Sequence, residues 1–304
     1  MWLLLLACAS APPSPAPPVA PVASAPPASA PPAATPPPSR PPPVGIFPAS
    51  ERVVSIADLH GDPAAALAGL RLAGLVDAEG RWSGGAATLV QTGDTTDRGP
   101  DSKGVLALLR RLQSEAAAAG GRVISLLGNH EVMNMMGDWR YVSPEDLKGY
   151  GGEMERRFAY SAKGEDGAWL RGSPATAKVG DSVFVHGGID ARWAALGIDG
   201  INAAIRDGID ARQKPQILGD DGPLWNRSFA LVASEAAVCD ALTQTLAALD
   251  AARMVVGHTV QEDGRIRSRC EGRLWLTDTG ASAHYGGHTS ALEIRGGAVT
   301  PLHP

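Results

Sequence analysis

The sequence predicts an α/β domain, and three observations support this prediction. From Arg52 onward, short β-branched runs alternate with longer helical patterns. Each conspicuous polar cluster comes directly after one of the predicted strands. The segment before Arg52 is rich in proline and lacks the pattern, which leaves about 250 residues to fold. Because α/β sheets gather ligands at the carboxyl ends of their strands, we expect the functional site there.

The first predicted unit is a strand, a loop and a helix. Val53–Ile56 is a short apolar, β-branched run. Asp62 followed by Pro63 supplies an N-cap and a first-turn proline for the helix. One face of this helix is expected to hold three leucines, Leu67, Leu70 and Leu75.

The same unit recurs along the chain. Thr88–Gln91 is the next predicted strand, and a polar loop leads to a helix at Lys103–Ala119 that Gly120 ends. A further helix is predicted at Ser234–Leu249. The remaining predicted strands are Val123–Leu127, Ser182–Val185, Arg253–Val256, Leu274–Thr277 and Ala291–Ile294.

The first fifty residues are predicted to form no core. Seventeen of the 25 prolines fall between Pro12 and Pro48, and Arg40 is the only formally charged side chain before Glu51. Proline removes backbone donors and favours the extended polyproline II conformation. We therefore predict a disordered Pro/Ala-rich tether over residues 11–50 and a folded domain over residues 51–304.

Residues 1–10 resemble a truncated bacterial lipoprotein signal. A Leu-Leu-Ala-Cys run ends at Cys8, but the segment is too short to span a bilayer and lacks a basic region. We hypothesise a protein of the bacterial cell envelope, periplasmic or lipid-anchored, with Cys8 as the acylated residue. The alternatives are an ordinary exported leader and a cytoplasmic protein.

The net charge bears on the class of partner, and the cysteine content bears on a possible disulfide. The net charge is −5 with no long basic run, so no nucleic-acid partner is expected. Two cysteines, Cys239 and Cys270, lie in the folded part. Export would permit a disulfide between them, and two unrelated thiols are the alternative.

Five glycine-containing polar blocks follow predicted strands, and together they hold four of the seven histidines. Carboxylate, amide and imidazole groups without thiolates favour divalent Mn, Fe or Zn. Glycine beside each donor allows a sharp turn, so the donors can converge. The blocks are residues 58–61 (DLHG), 93–99 (GDTTDRG), 128–131 (GNHE), 186–188 (HGG) and 257–259 (GHT).

The five blocks together resemble the phosphoprotein phosphatase family of calcineurin-like metallophosphoesterases, whose signatures read GDxHG, GDxxDRG, GNHE, HGG and GHT. The resemblance spans Arg52 to Gly297, and residues 224–227 (LWNR) with the stretch from Asp278 are similar to its bacterial and Shewanella-like branch. Ala57 replaces the first glycine of the pattern, which tightens the turn but removes no ligand. The resemblance implies a β-sandwich flanked by helices.

The resemblance also implies two divalent metal ions, with Mn²⁺ expected in vitro. A shared carboxylate and a bridging hydroxide can hold two cations roughly 3.5 to 4 Å apart and clamp a phosphate for in-line attack. The implied ligands are Asp58 and His60 for one ion, Asn129, His186 and His258 for the other, and Asp94 for both.

Four further residues have implied roles in the chemistry. His130 would be the general acid, with Asp97 orienting its ring, and the alternative for His130 is a structural histidine. Arg98 and Arg227 would bind phosphoryl oxygens, although a surface salt bridge is the alternative for Arg227. Glu131 is expected to support the loops rather than to take part in chemistry.

The expected function is metal-dependent hydrolysis of phosphate monoesters, carried by protein Ser/Thr or Tyr residues or by small molecules. The first alternative is hydrolysis of a nucleotide or dinucleotide polyphosphate at the same metal site. The second is a non-catalytic phosphate-binding module, which the complete ligand set argues against. Substrate choice is expected to depend on the long connections at residues 132–180 and 189–222.

Overall fold

The computed structural model describes residues 44–304. The strands of this part are β1 (Ile46–Phe47), β2 (Arg52–Ile56), β3 (Thr88–Gln91), β4 (Arg122–Ser125), β5 (Thr176–Val179), β6 (Ser182–Val185), β7 (Arg253–Val256), β8 (Arg267–Arg269), β9 (Leu274–Leu276), β10 (Ala291–Arg295) and β11 (Ala298–Leu302). The α-helices are α1 (Pro63–Leu72), α2 (Ser102–Ala118), α3 (Asn129–Met136), α4 (Pro144–Tyr150), α5 (Glu153–Ala159), α6 (Glu165–Leu170), α7 (Ala191–Ala194), α8 (Gly197–Asp210), α9 (Ser228–Leu231) and α10 (Glu235–Ala248).

These strands form two mixed sheets. One sheet has the order β1-β5-β6-β7-β9-β8, and the other has the order β11-β10-β2-β3-β4. Strands β2, β3 and β4 run parallel in one sheet, and β6, β7 and β9 run parallel in the other. The loops after these six strands therefore leave at the carboxyl edge of each sheet.

The two sheets pack face to face because successive side chains of a strand point to opposite sides. In β6, Phe184 belongs to the apolar layer between the sheets, together with Val90 of β3. Its neighbours Val183 and Val185 pack instead with residues of α8 and α10. On the other sheet, Leu89 packs against α1 and α2. The predicted β-sandwich flanked by helices is thereby confirmed.

The predicted elements are confirmed with small differences at their ends. Helix α1 ends at Leu72, so Leu75 does not share a helical face with Leu67 and Leu70 as predicted. The chain turns at Gly74, which has a φ of 61°, and Leu75 is then fully buried beyond the turn. Strand β4 ends at Ser125 rather than at residue 127.

The predicted boundary between tether and domain is wrong for the last residues of the tether. Ile46–Phe47 forms strand β1 and pairs in parallel with Lys178 and Val179 of β5. Phe47 packs against the apolar layer between the sheets, which explains why this short apolar pair is ordered. The predicted leader, the acylation of Cys8 and the tether up to residue 43 lie outside the described residues.

Within residues 44–304, no helix has the length and apolar character needed to cross a bilayer. A disulfide joins Cys239 of α10 to Cys270, which follows β8, with the two Cα atoms 5.3 Å apart. This bond resolves the alternatives that the sequence left open. It closes a loop with a sequence separation of 31 residues and ties α10 to the sheet that α10 covers.

Candidate active site

All five polar blocks meet beside a cavity of about 780 Å³ at the carboxyl edge of the sandwich. Five of the six predicted metal ligands line it, and the sixth, His186, is fully buried behind them. The predicted His130, Arg98 and Arg227 line the same cavity. Loops that are up to 200 residues apart in sequence therefore contribute to one site.

Close approach of two loops requires glycine at two positions. Gly93 has a φ of 96°, and a Cβ there would lie 2.5 Å from the nitrogen of Gly128. A Cβ on Gly128 would lie 2.2 Å from Oδ1 of Asp94. The blocks that hold Asp94 and Asn129 can thus approach only without these side chains. Ala57 does not have a positive φ, so its Cβ causes no backbone strain at the site.

Asp94 lies at the centre of the donors. Its Oδ2 atom is 3.2 Å from Nε2 of His186 and 3.8 Å from Nε2 of His60. Two groups of closely spaced donors share this residue, one with His60 and His130 and the other with His186 and His258. A carboxylate between two donor groups is the arrangement that the implied bridging role requires.

The histidine rings are oriented by backbone carbonyls. Nδ1 of His60 lies 3.2 Å from the oxygen of Thr96, and Nδ1 of His186 lies 3.0 Å from the oxygen of Thr92. A ring that donates from Nδ1 has a lone pair on Nε2, and this lone pair points into the site. Such bonds to the outer nitrogen fix the ring in the form that binds a metal.

Facing lone pairs show that the donor set fits a cation. Nε2 of His186 is 2.9 Å from Oδ1 of Asn129, while its Nδ1 bonds to Thr92. Two acceptors face each other here, and Oδ2 of Asp94 is close by, so a positive charge among them would be stabilising. Nε2 of His258 faces the carbonyl of Trp225, which leaves its Nδ1 available as a ligand.

The pKa shifts of the clustered side chains also indicate a site that fits a cation. Burial, the Asp278 carboxylate and the Asp94 carboxylate raise the pKa of Asp58 well above its usual value. Burial lowers the pKa of His60 to about 4 and, together with neighbouring His186, lowers that of His258. Buried carboxylates that repel one another, beside imidazoles that stay neutral, form an environment suited to divalent metal ions.

His130 and Asp97 form a buried pair beside this cluster. Nδ1 of His130 lies 2.7 Å from Oδ2 of Asp97, and Nε2 of His130 lies 3.8 Å from Oδ2 of Asp94. Burial alone would lower the pKa of His130, but the carboxylates of Asp94 and Asp97 raise it above its usual value. The pair is thus arranged to present a protonated Nε2 to the cavity.

The two predicted phosphate-binding arginines are held in different ways. The guanidinium of Arg98 stacks 3.9 Å above the ring of Tyr141, and its Nε is buried without a hydrogen-bond partner in the described part of the chain. Nη1 of Arg227 donates to the carbonyl of His258 at 2.5 Å and to Thr259. Arg98 is therefore free to bind a phosphoryl group, whereas one nitrogen of Arg227 supports the His258 loop.

Glu131 holds two loops in place, in agreement with its expected supporting role. Its carboxylate accepts the backbone N–H of Asp94 at 2.9 Å and that of Gly128 at 2.7 Å. It also accepts the backbone N–H and the hydroxyl of both Thr95 and Thr96. One buried carboxylate thus fixes the loop of Asp94 against the start of α3.

Some residues of the site were not among the sequence predictions. Asp278 lines the cavity, is buried, and has an Oδ2 atom without a hydrogen-bond partner in the described residues. Burial raises the pKa of Asp278 to about 6. Its position directly after a strand is the signal that identified the other donors, so the same reasoning could have found it. Tyr141 lies in the connection between α3 and α4, which carries no such signal.

Comparisons with known proteins agree with the geometry. The sequence profile described as calcineurin-like phosphoesterase matches residues 51–289. The chain is 39% identical to an uncharacterized protein of Schizosaccharomyces pombe over 80% of the chain and 76% of that protein. It is 32% identical to Shewanella-like protein phosphatase 2 of Arabidopsis thaliana over 82% of the chain and 76% of that protein.

A solved structure is similar to most of the chain. It is the cold-active protein-tyrosine phosphatase of a psychrophilic Shewanella species, with a TM-score of 0.74 and 29% sequence identity. The match covers 85% of this chain and 79% of that chain.

Proposed function

Because the chain belongs to the calcineurin-like phosphoesterase family, we propose that it hydrolyses phosphate monoesters carried by protein side chains. The observation that supports this most is the position of Asp94 between His60 on one side and His186 and His258 on the other, in a cavity that also presents His130 and Arg98. The Arabidopsis and Shewanella relatives are named as protein phosphatases.

We propose that the site holds two divalent ions, Mn²⁺ in vitro, on the six predicted ligands. When bound, such a pair supplies neutralisation of the phosphoryl charge and activation of a water molecule. The chain's own residues complete the site. Arg98 binds the phosphoryl oxygens, and His130 gives the proton of its Nε2 to the departing oxygen while Asp97 holds its Nδ1.

The side chains that line the cavity favour a substrate larger than inorganic phosphate. Charged side chains of both signs line the cavity rim, namely Lys214, Asp220 and the ion pair of Arg140 with Asp138, and Leu231 of α9 is an exposed apolar side chain there. An open rim with both kinds of side chain suits a peptide that presents one phosphorylated residue. Most of this rim comes from residues 132–231, between the third and the last of the metal-binding blocks.

The test is hydrolysis by the purified protein with Mn²⁺ and after removal of the metal. Wild type should cleave p-nitrophenyl phosphate and a phosphopeptide, and chelation should abolish both activities. Asp94→Asn should lower kcat by at least about 10³-fold, because that variant lacks the shared carboxylate. Asp199→Asn, a change on the surface of α8, is the matched control and should retain activity. Full activity of Asp94→Asn would disprove the proposal.

A substrate panel separates the proposal from its alternative. Phosphoserine, phosphothreonine and phosphotyrosine peptides are compared with a dinucleoside polyphosphate at equal concentration. A higher kcat/KM for the peptides supports protein phosphatase activity. A higher kcat/KM for the dinucleotide would assign the same metal site to polyphosphate hydrolysis instead.

We also propose that the protein is exported to the bacterial envelope, with a lipid on Cys8. The disulfide between Cys239 and Cys270 supports export, because such bonds persist in oxidising compartments. Mass spectrometry of the mature N-terminus tests both ideas. An acylated cysteine at position 8 is the expected result, and an unmodified Met1 in a cytosolic fraction would disprove them.

A further inference from the structure

A buried arginine lies behind the pair of His130 and Asp97. Arg156 is fully buried, and it is the one buried residue of the described helix α5. Its Nη2 atom lies 3.2 Å from Oδ1 of Asp97, and its Nε donates to Oδ2 of Asp146 at 2.9 Å. The third nitrogen, Nη1, donates to Oδ1 of Asn134 at 2.5 Å.

These contacts fix both oxygens of Asp97. Oδ2 accepts from Nδ1 of His130, while Oδ1 faces Arg156 and also accepts from Nδ2 of Asn134 at 2.9 Å. Asn134 in turn bonds to the carbonyl of His130 at 2.8 Å. A carboxylate held at both oxygens cannot rotate, so the ring that it binds is held in one orientation.

The contacts also close into a ring through the backbone. The N–H of Asp97 donates to Oγ of Ser102 at 3.0 Å, and the N–H of Ser102 donates to Oδ1 of Asp146 at 2.7 Å. Oδ2 of Asp146 accepts from Nε of Arg156, and this bond closes the ring. The position of Asp97 is thus determined from its side chain and its main chain by the same group of residues.

Stability alone does not account for this arginine. A buried ion pair contributes little net stability relative to apolar residues of the same volume, because its charges lose their hydration. Helix α5 leaves Met154 and Phe158 exposed and buries its arginine instead. The rings of Tyr160 and Tyr150 cover the guanidinium at 4.5 and 5.4 Å, which encloses it further. A role in the orientation of Asp97 explains the arrangement.

We infer that Arg156 is a positioning residue that acts through Asp97 to aim Nε2 of His130 at the leaving oxygen of the substrate. The inference rests on the proposed function, because it requires His130 to protonate that oxygen. Arg156 itself does not touch the cavity. Loss of Arg156 should therefore weaken proton donation while leaving phosphate binding and the metal ligands in place.

Two substrates of nearly the same shape isolate this effect. Phenyl phosphate needs a proton on its departing phenoxide, whereas p-nitrophenyl phosphate releases a stable anion that needs little help. Arg156→Met should lower kcat for phenyl phosphate at least about tenfold more than kcat for p-nitrophenyl phosphate, with KM and metal content close to wild type. Asp97→Asn should show the same difference between substrates.

Two further variants make the test specific. Asp97→Asn combined with Arg156→Met should be no slower on phenyl phosphate than Asp97→Asn alone, because both changes act on one step. Arg253→Met is the matched control, since Arg253 is also a poorly exposed, ion-paired arginine but lies at the start of β7, away from the cavity. It should leave the ratio of the two substrates unchanged.

The outcomes separate the inference from the proposed function. A wild type that cleaves neither substrate would overturn both. If Asp97→Asn changes the substrate ratio and Arg156→Met lowers both rates equally, the inference alone is wrong. If Arg156→Met does not fold, Arg156→Lys decides by the same ratio, since one ammonium group cannot reproduce the paired contacts to Asp97 and Asp146. An unchanged ratio in a folded Arg156→Lys with reduced rates would overturn the inference.

Discussion

The carboxylate of Glu131 accepts the backbone N–H of Asp94 at 2.9 Å, so the loop of Asp94, the proposed bridging ligand, is held by the first turn of another element. Six donors converge on this one buried side chain. The position of Asp94 therefore depends on Glu131, which need not contact a metal ion or the substrate itself.

Glu131→Gln should destabilise the protein by roughly 2 to 4 kcal/mol, because the amide NH₂ would face backbone donors that then lack an acceptor. Chemical denaturation measures this loss, and metal analysis should find less bound metal. Glu153→Gln, at an exposed position on α5, is the control and should stay within about 0.5 kcal/mol of wild type. Equal stability of both variants would contradict the supporting role.

Arg98 and Tyr141 should affect turnover to different degrees. Arg98→Ala should lower kcat/KM by about 10² to 10³-fold, because the site loses a donor to the phosphoryl oxygens. Tyr141→Ala should have a smaller effect, about 3- to 10-fold, because the ring contacts to the Arg98 guanidinium and to His130 are lost while both of these side chains remain. Tyr141→Phe retains the ring and should behave like wild type in steady-state kinetics. Equal losses in Tyr141→Phe and Tyr141→Ala would show that the hydroxyl matters instead.

Asp278 should make the metal-free protein less stable as the pH rises. Its folded-state pKa is raised to about 6, so the folded protein keeps a proton that the unfolded chain has already released. The loss in free energy of unfolding that results from ionising Asp278 is absent below about pH 4 and complete above about pH 6. Asp278→Asn removes it, so the stability advantage of this variant over wild type should grow by about 1 to 3 kcal/mol between pH 4 and pH 7.

Denaturation of both chelated proteins across this pH range measures the difference between them. Comparison with wild type cancels groups on which Asp278 has little influence, such as His60 and His258, whereas loss of the Asp278 carboxylate also lowers the pKa of Asp58, which adds to the advantage of the variant. An advantage that is constant with pH would contradict the assignment. With metal present the order should reverse at pH 7, because Asp278 then faces positive charge and its loss weakens metal binding.

The disulfide should contribute stability without contributing to the chemistry. Replacing both Cys239 and Cys270 by serine should lower the free energy of unfolding by about 3 to 4 kcal/mol, as the loop-closure entropy of a 31-residue separation implies. Thermal denaturation of this variant, and of wild type with a reductant, checks the value. The kcat at 25 °C should remain close to wild type, since the bond lies outside the residues that line the cavity. A loss of kcat without a loss of stability would point to a catalytic role.

Much of the site could be predicted from the sequence because local rules place its donors. A strand followed by a glycine-containing turn predicts where a side chain leaves the sheet, and this rule located Asp58, Asp94 and His258. It also applies to Asp278, which was not predicted as a donor. The strand β1 was missed because two apolar residues among prolines have no periodicity to recognise.

The sequence by itself determined which polar blocks follow which strands, since this follows from residue type and short-range patterns, and the resemblance of these blocks to a known family supplied the candidate metal ligands. Only the tertiary structure decided that Arg227 supports the His258 loop and that Arg156 of a connecting helix reaches Asp97. Arg227 and His258 are 31 positions apart in the sequence, and Arg156 and Asp97 are 59 positions apart. Such contacts arise from the packing of distant segments, and no local pattern of residues specifies that packing.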